Sequence, residues 1–369
     1  MVATAQRQTA HRIQGLDLLR GVAILGVMLH HSWSDAFPSS GLVGVVIFFT
    51  LSGYLITGLL VGDIRRFGKV RYGRFYRNRA IRLIPALLFM LAGYVVVEGV
   101  LRWSGDRSDV PATLLSAITY TSNIPGLDRG SSHLSHLWTL ANEEQFYLLW
   151  PLLLLIGMRF RRLRLVIAAA AAFLTIGLIG AAFVAAPDYG RLYELPVAWT
   201  IAMIIGSAAK LGEDRVRALL AGWRGILAVI IGVAVLAGIA MTPDARSTLL
   251  TYLLGGPAIG VATVFVIIPL SRVAVVPVWA RPLVWLGTIS YAAYLWNYPI
   301  RWWLIDTGWG NAFAPAAFVL TIVAATVSWY VVEKPMNRWK SRLDARARER
   351  TQTTTDATVG ERTTDAARE

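Results

Sequence analysis

Long apolar runs recur along this chain, separated by short polar stretches, and none shows the strict alternation of a membrane-spanning strand. Each run has roughly 17 to 25 residues, enough to cross about 30 Å of hydrocarbon as a helix. The pattern predicts about ten transmembrane helices. They fall near 17–35, 42–62, 82–101, 141–158, 164–186, 193–210, 223–241, 247–270, 284–304 and 312–332. The first run does not read as a cleaved signal. Asp17 and Arg20 interrupt its start, and it ends in His30-His31-Ser32-Trp33 rather than in small residues.

Composition supports this all-α integral membrane class: 56% of the 369 residues are hydrophobic and the mean hydropathy is +0.53. A net charge of +14 would fit a nucleic-acid partner, but the cations sit in blocks between apolar runs rather than along one face. They report topology instead. Alternate loops are rich in Lys and Arg (65–79, 159–164, 210–224 and 272–281), while the loops between them carry few, chiefly Arg102, Arg107, Arg129, Arg191 and Arg246. By the positive-inside rule the rich loops and both termini face the cytoplasm. The expectation is a multi-pass protein of a bacterial cytoplasmic membrane.

Beyond about Trp339 large apolar residues nearly vanish, so residues 1–339 read as one polytopic membrane domain and 340–369 as a disordered cytoplasmic tail. Cysteine is absent, which excludes thiol nucleophiles and cysteine-ligated metals.

Ionisable side chains at membrane depth are expensive and therefore point to function. His30 and His31 lie about ten residues beyond Arg20, roughly 16 Å along the helix. A neutral imidazole there can remove a hydroxyl proton near pH 7 or carry an acyl group, or it can simply bond a backbone carbonyl. His133-x-x-His136 has a spacing that is not diagnostic of a metal, and none is expected.

Several segments, in order and over most of the chain, resemble the acyltransferase-3 family. The stretch from Arg12 through Leu16-Asp17 to Arg20-Gly21 resembles its opening signature, which places a histidine eleven residues after the final arginine, here His31. His30 stands where the family is usually aromatic. Phe48-Phe49-Thr50-Leu51-Ser52-Gly53-Tyr54 is similar to the next element, with Val46 in place of a common aspartate. Arg77, Arg79 and Arg82 before Leu83-Ile84-Pro85 resemble its arginine element, with Asn78 replacing one arginine. His136-Leu137-Trp138-Thr139 to Glu143-Glu144-Gln145-Phe146-Tyr147 is a close match. Ile289-Ser290-Tyr291 to Tyr294-Leu295-Trp296-Asn297-Tyr298-Pro299 has Asn297 for the usual histidine, and Glu333-Lys334-Pro335 closes the set.

The resemblance implies a membrane O-acyltransferase using acyl-coenzyme A, acetyl-coenzyme A foremost, and no metal. The acceptor would be a hydroxyl of a sugar, a glycan, an exopolysaccharide or a macrolide-type metabolite. His31 would be the base or acyl relay. Glu143 or Glu144 would hold its other nitrogen, and Arg77, Arg79 and Arg82 would hold the donor phosphates at the cytoplasmic rim. The alternative for those arginines is ordinary topological anchoring. Asp17, Arg20, Ser52, His136, Trp138, Asn297 and Glu333 would bind substrate or hold structure. From the short stretch after the last helix the expectation is that no further extracytoplasmic domain is present. The competing reading is a transporter or flippase with the same residues lining its path.

Overall fold

The computed structural model describes residues 13–103 and 109–343, which are 82% helical and contain no strand. The thirteen α-helices are α1 (Gln14–Ser32), α2 (Ser40–Phe67), α3 (Tyr72–Tyr94), α4 (Val110–Thr119), α5 (Trp138–Arg159), α6 (Leu163–Ala185), α7 (Pro196–Leu211), α8 (Glu213–Leu219), α9 (Trp223–Ala240), α10 (Gly256–Leu270), α11 (Arg281–Thr288), α12 (Ser290–Asp306) and α13 (Phe313–Ser328). Every predicted apolar segment falls on helix. Among the described residues six helices are long and apolar enough to cross a membrane: Ser40–Phe67, Tyr72–Val100, Leu163–Ala185, Trp223–Ala240, Thr251–Leu270 and Phe313–Leu343.

The rest fall short for identifiable reasons. α1 carries Asp17, Arg20 and two histidines, α5 carries Asn142-Glu143-Glu144-Gln145, and α7 and α12 have only 16 and 17 residues.

Three elements depart from the sequence expectation. α4 lies in what reads as a plain loop between 102 and 138. The segment predicted as one helix over 284–304 breaks at Ile289 into α11 and α12. The break accompanies a backbone contact: a Cβ on Gly287 would strike the Asp17 carbonyl, and one on Gly21 would strike that of Leu283, so α1 and α11 touch at glycine. Finally, helix continues through Leu343, into the first residues of the segment expected to be disordered; the rest of that segment, from 344, and Arg7 and Arg12 lie outside the described residues.

α2 is the centre of the bundle, with 72% of its apolar window inside the protein. It packs on α7 and α1, and Gly53 and Gly206 at the α2–α7 contact lie against the backbones of Met203 and Thr50. α1 also packs on α11 and α12, and α12 on α13. These contacts bring α1, α2, α5, α12 and α13 around one polar interior.

Candidate active site

A cavity of about 310 Å³ opens among the start of α1, one face of α2 from Val45 to Asp63, the start of α3 and the first turns of α5 and α12. Its lining includes five cationic side chains, Arg20, Arg74, Arg79, Arg82 and Lys340, against two carboxylates, Asp63 and Glu143. The excess of positive charge suits an anionic ligand. The apolar wall is supplied by α2, including Phe48, Phe49, Leu55, Ile56 and Leu59.

Each cation is held differently. Arg79 donates from Nη2 to Glu144 Oε1 at 2.8 Å, and its guanidinium lies 3.5 Å from the centre of the Tyr147 ring, which fixes its plane. Arg82 keeps an exposed surface, and that surface opens on the cavity. It shares the electrostatic surroundings of Arg79, Glu143 and Glu333. Arg20 comes within 4.0 Å of buried Asp17 one helical turn away. Ser52 donates to Glu143 Oε1 at 2.5 Å.

The cavity ends at Tyr294. Its ring is 5.3 Å from that of His136, His136 is 5.0 Å from Tyr298, and Tyr298 is 5.1 Å from His31. Tyr294 also donates to the His136 carbonyl at 2.8 Å and accepts from Thr139, which locks the near side of this layer. Pro299 cannot donate to the Leu295 carbonyl, and the His136 ring stands beside that carbonyl.

The tautomer of His31 follows from a relay that can be read from one end. The Thr321 hydroxyl gives its proton to the Ala317 carbonyl at 2.6 Å, so its oxygen accepts from the Asn297 amide nitrogen at 3.2 Å. Asn297 must then turn its Oδ1 to His31, and the 2.5 Å contact requires Nδ1 to carry the proton. Nε2 is left as the basic nitrogen. The backbone is anchored as well, since Arg301 Nε donates to the His31 carbonyl at 2.8 Å.

This corrects the expected carboxylate partner of His31. Glu143 bonds Ser52 and Glu144 bonds Arg79, so both glutamates serve the cationic cavity. An amide on α12 takes the position at the imidazole, because the α1–α12 packing puts Asn297 there and α5 contributes one layer nearer the cavity. The arginine element also divides. Arg79 and Arg82 line the cavity together with Asn78, whereas Arg77 is exposed and outside the lining. Trp138 is a packing residue against Phe49 and Tyr193. Glu333 is buried at the end of a π turn spanning Trp329–Glu333. His133 lies between Glu98 and Asp306, 2.8 Å from the latter, while His136 packs between tyrosines, so the two histidines do not converge on one point.

Thr321, Tyr294, Tyr298 and Lys340 belong to the site without having been singled out as site residues. The one available signal for Thr321 was a threonine within the mostly apolar α13, which also carries Thr326 and Ser328, so the pattern does not set it apart.

The sequence model of the acyltransferase domain of the acyltransferase-3 type matches residues 13–333. YrhL of Bacillus subtilis (strain 168), proposed to be a peptidoglycan O-acetyltransferase, is 30% identical over 362 residues, covering 88% of this chain and 55% of its own. The O-acetyltransferase OatA of Staphylococcus aureus (strain NCTC 8325 / PS 47) is 28% identical over 356 residues, 88% of this chain and 57% of its own. The peptidoglycan O-acetyltransferase OatA of Listeria monocytogenes is 29% identical over 321 residues, 80% and 50% respectively. The chain thus spans about half the length of the curated relatives it matches. No solved structure matches. With the family match covering the cationic cavity, the aromatic layer and the His31 relay alike, the chain belongs to the acyltransferase-3 family.

Proposed function

We propose that this protein is a multi-pass O-acetyltransferase of a bacterial cytoplasmic membrane, moving an acetyl group from acetyl-coenzyme A to a hydroxyl of a cell-wall glycan. The observation that carries the reading is the joining of two features on neighbouring helices: a cavity rich in guanidinium groups, and an imidazole whose proton is fixed on Nδ1. The donor phosphates bind Arg20, Arg79 and Arg82, and the apolar wall of α2 guides the thioester arm past Tyr294 and Tyr298. The acceptor hydroxyl gives its proton to His31 Nε2 as its oxygen attacks the thioester carbonyl carbon. The carbon–sulfur bond then breaks, and the coenzyme A thiolate recovers the proton from the imidazolium. The glycan acceptor is favoured over a macrolide by the names of the relatives.

The topology in this reading has ten crossings, by α1, α2, α3, α5, α6, α7, α9, α10, α12 and α13, with both termini and the 68–71 connection cytoplasmic. Two ends of the bundle support it. The start of α1, the end of α2, the start of α3 and the helix after α13 line one part of the cationic cavity, which runs inward along α2 to Val45 and to the first turns of α5. Loops after α1, α6 and α9 share a second one. The test is release of coenzyme A by purified protein in lipid nanodiscs, coupled to capture of labelled acetate on glycan. Coenzyme A release that requires His31 supports acyl transfer. Transport of an acylated or lipid-linked substrate with no coenzyme A release would instead establish the transporter reading.

A further inference from the structure

A second cavity, of about 620 Å³, lies at the opposite end of α1 from Arg20. Three connections build it: Ser34 to Ser39 after α1, Pro187 to Gly190 after α6, and Pro243 to Ser247 after α9. Its charged and aromatic lining is His30, Asp35, Asp188, Tyr189, Asp244 and Arg246, with serine hydroxyls between them. The charge balance is the reverse of the cationic cavity, with three carboxylates to one guanidinium.

The floor of this cavity is built from the neighbour of the candidate base. His30 donates from Nδ1 to the Phe37 carbonyl at 2.9 Å, which leaves Nε2 to accept from Arg246 Nη2 at 3.2 Å. Arg246 lies 4.0 Å from the centre of the Tyr193 ring, and its carbonyl accepts from Tyr252 at 2.8 Å. Arg246 is therefore held in one place. The His30 and His31 ring centres are 5.6 Å apart, so this floor adjoins the reaction centre.

We propose that the second cavity is the binding site for a neutral, hydroxyl-rich glycan, the acceptor of the acetyl group; this rests on the acetyl-transfer reading above. Carboxylates accept hydrogen bonds only, so they match sugar hydroxyls as donors and repel an anionic donor molecule. Among the described residues Asp35 and Asp244 form no ion pair, which leaves their oxygens available, whereas Asp188 is engaged by Arg191 at 3.1 Å. Arg246 and Ser34 supply donors for ring and carbonyl oxygens, Ser39 and Ser247 offer acceptor oxygens because their protons go to the Thr242 and Asp244 carbonyls, and the Tyr189 ring supplies an apolar face for sugar C–H groups. Donor and acceptor then approach His31 from opposite ends of α1 without competing for one pocket.

The test uses the full chain in nanodiscs and a tetramer of N-acetylglucosamine as probe, with binding read by saturation-transfer NMR independently of catalysis. Asp35→Asn, Asp244→Asn and the charge reversal Asp35→Arg are the variants. Asparagine also tolerates the left-handed backbone of Asp244, at φ 46°, and both aspartates are exposed loop residues, so the fold is retained and thermal unfolding checks it. The wild type should bind the tetramer. Each Asn variant should weaken binding several-fold and Asp35→Arg at least tenfold. Absence of wild-type binding, or equal binding by all three variants, overturns the assignment. Absence of coenzyme A release by a wild type that still binds the tetramer counts against the acetyl-transfer reading and leaves this site standing.

Discussion

The relay Thr321–Asn297–His31 makes a prediction that separates a base from a buried packing histidine. Asn297→Ala removes the group that keeps the proton on Nδ1. The lost hydrogen bond is worth about 0.5 to 1.5 kcal/mol net, and a buried donor left unpaired costs about 1 to 3 kcal/mol. At about 1.36 kcal/mol per decade of rate, kcat should fall by about 10- to 100-fold. The donor KM should hardly change, because Asn297 does not line the cationic cavity. Thr321→Val keeps the side-chain shape but deprives the amide of its partner, and should cost up to about tenfold by letting Asn297 turn over. Asn297→His restores a ring nitrogen able to accept from Nδ1 and should recover much of the rate. The assay is simple here because the protein contains no cysteine. A thiol-reactive dye reports coenzyme A alone, and initial rates can be followed at varied donor concentrations. Folded Asn297→Ala protein with kcat within about twofold of wild type, or with its whole loss in donor KM, would refute the assignment of Nε2 as base.

Further outcomes follow from the same geometry. His31→Ala should lower kcat at least about 100-fold with donor binding intact, and acid-quenched wild type should carry no acetyl group on the His31 peptide; a stoichiometric acetyl there would replace the base by a relay. His30→Phe breaks the bonds to Phe37 and Arg246 and should raise the glycan KM while largely keeping kcat; a dead variant with normal glycan binding would move the chemistry to His30. Arg82→Ala should weaken acetyl-coenzyme A binding by about 1.5 to 3 kcal/mol, and Arg77→Ala should not, so equal losses by calorimetry would dissolve the distinction between them. Burial opposes ionisation of Glu213, but Lys210, Tyr54 and Arg217 outweigh it and hold the carboxyl below its ordinary range. Because the folded value is the lower one, this stabilisation is complete above the unfolded value of about 4.3 and fades as pH falls through the folded value. The Tm advantage of wild type over Glu213→Gln should therefore shrink on acidification, and parallel profiles would contradict it. Reporter fusions at Arg71 and Asp128 should report opposite compartments.

Periodicity made the apolar segments legible because each had to bury or face lipid along its whole length. It could not show that the helix predicted over 284–304 is two. That break accompanies the approach of α1 and α11 at Gly21 and Gly287, a contact between positions far apart in sequence. The candidate site was legible by residue type, since charge at membrane depth is rare enough to stand out. The partnerships were not. The resemblance paired Glu143 or Glu144 with His31, yet a position along a helix carries no information about rotation around it. One residue turns the side chain by about 100°. Asn297 was visible only as a departure from the family's usual histidine, and its use became apparent when α12 was packed on α1.

The polarity that weakens α1 and α5 as membrane spans is also what equips them for chemistry, and the fold reconciles the two by enclosing them. α6 and α9, with little of their apolar windows buried (17% and 28%), meet lipid and can be almost uniformly apolar. α2 is as hydrophobic but has most of its window inside, so its side chains form the wall against which Arg79 and Glu143 are arranged. Small residues set how closely that wall is approached: a Cβ on Gly44 would meet the Ala23 carbonyl, and one on Gly206 the Thr50 carbonyl. A polar interior in a membrane must exclude lipid while leaving room for substrate. Here glycine contacts draw the backbones of α1, α2 and α7 together, and the two cavities lie toward opposite ends of α1.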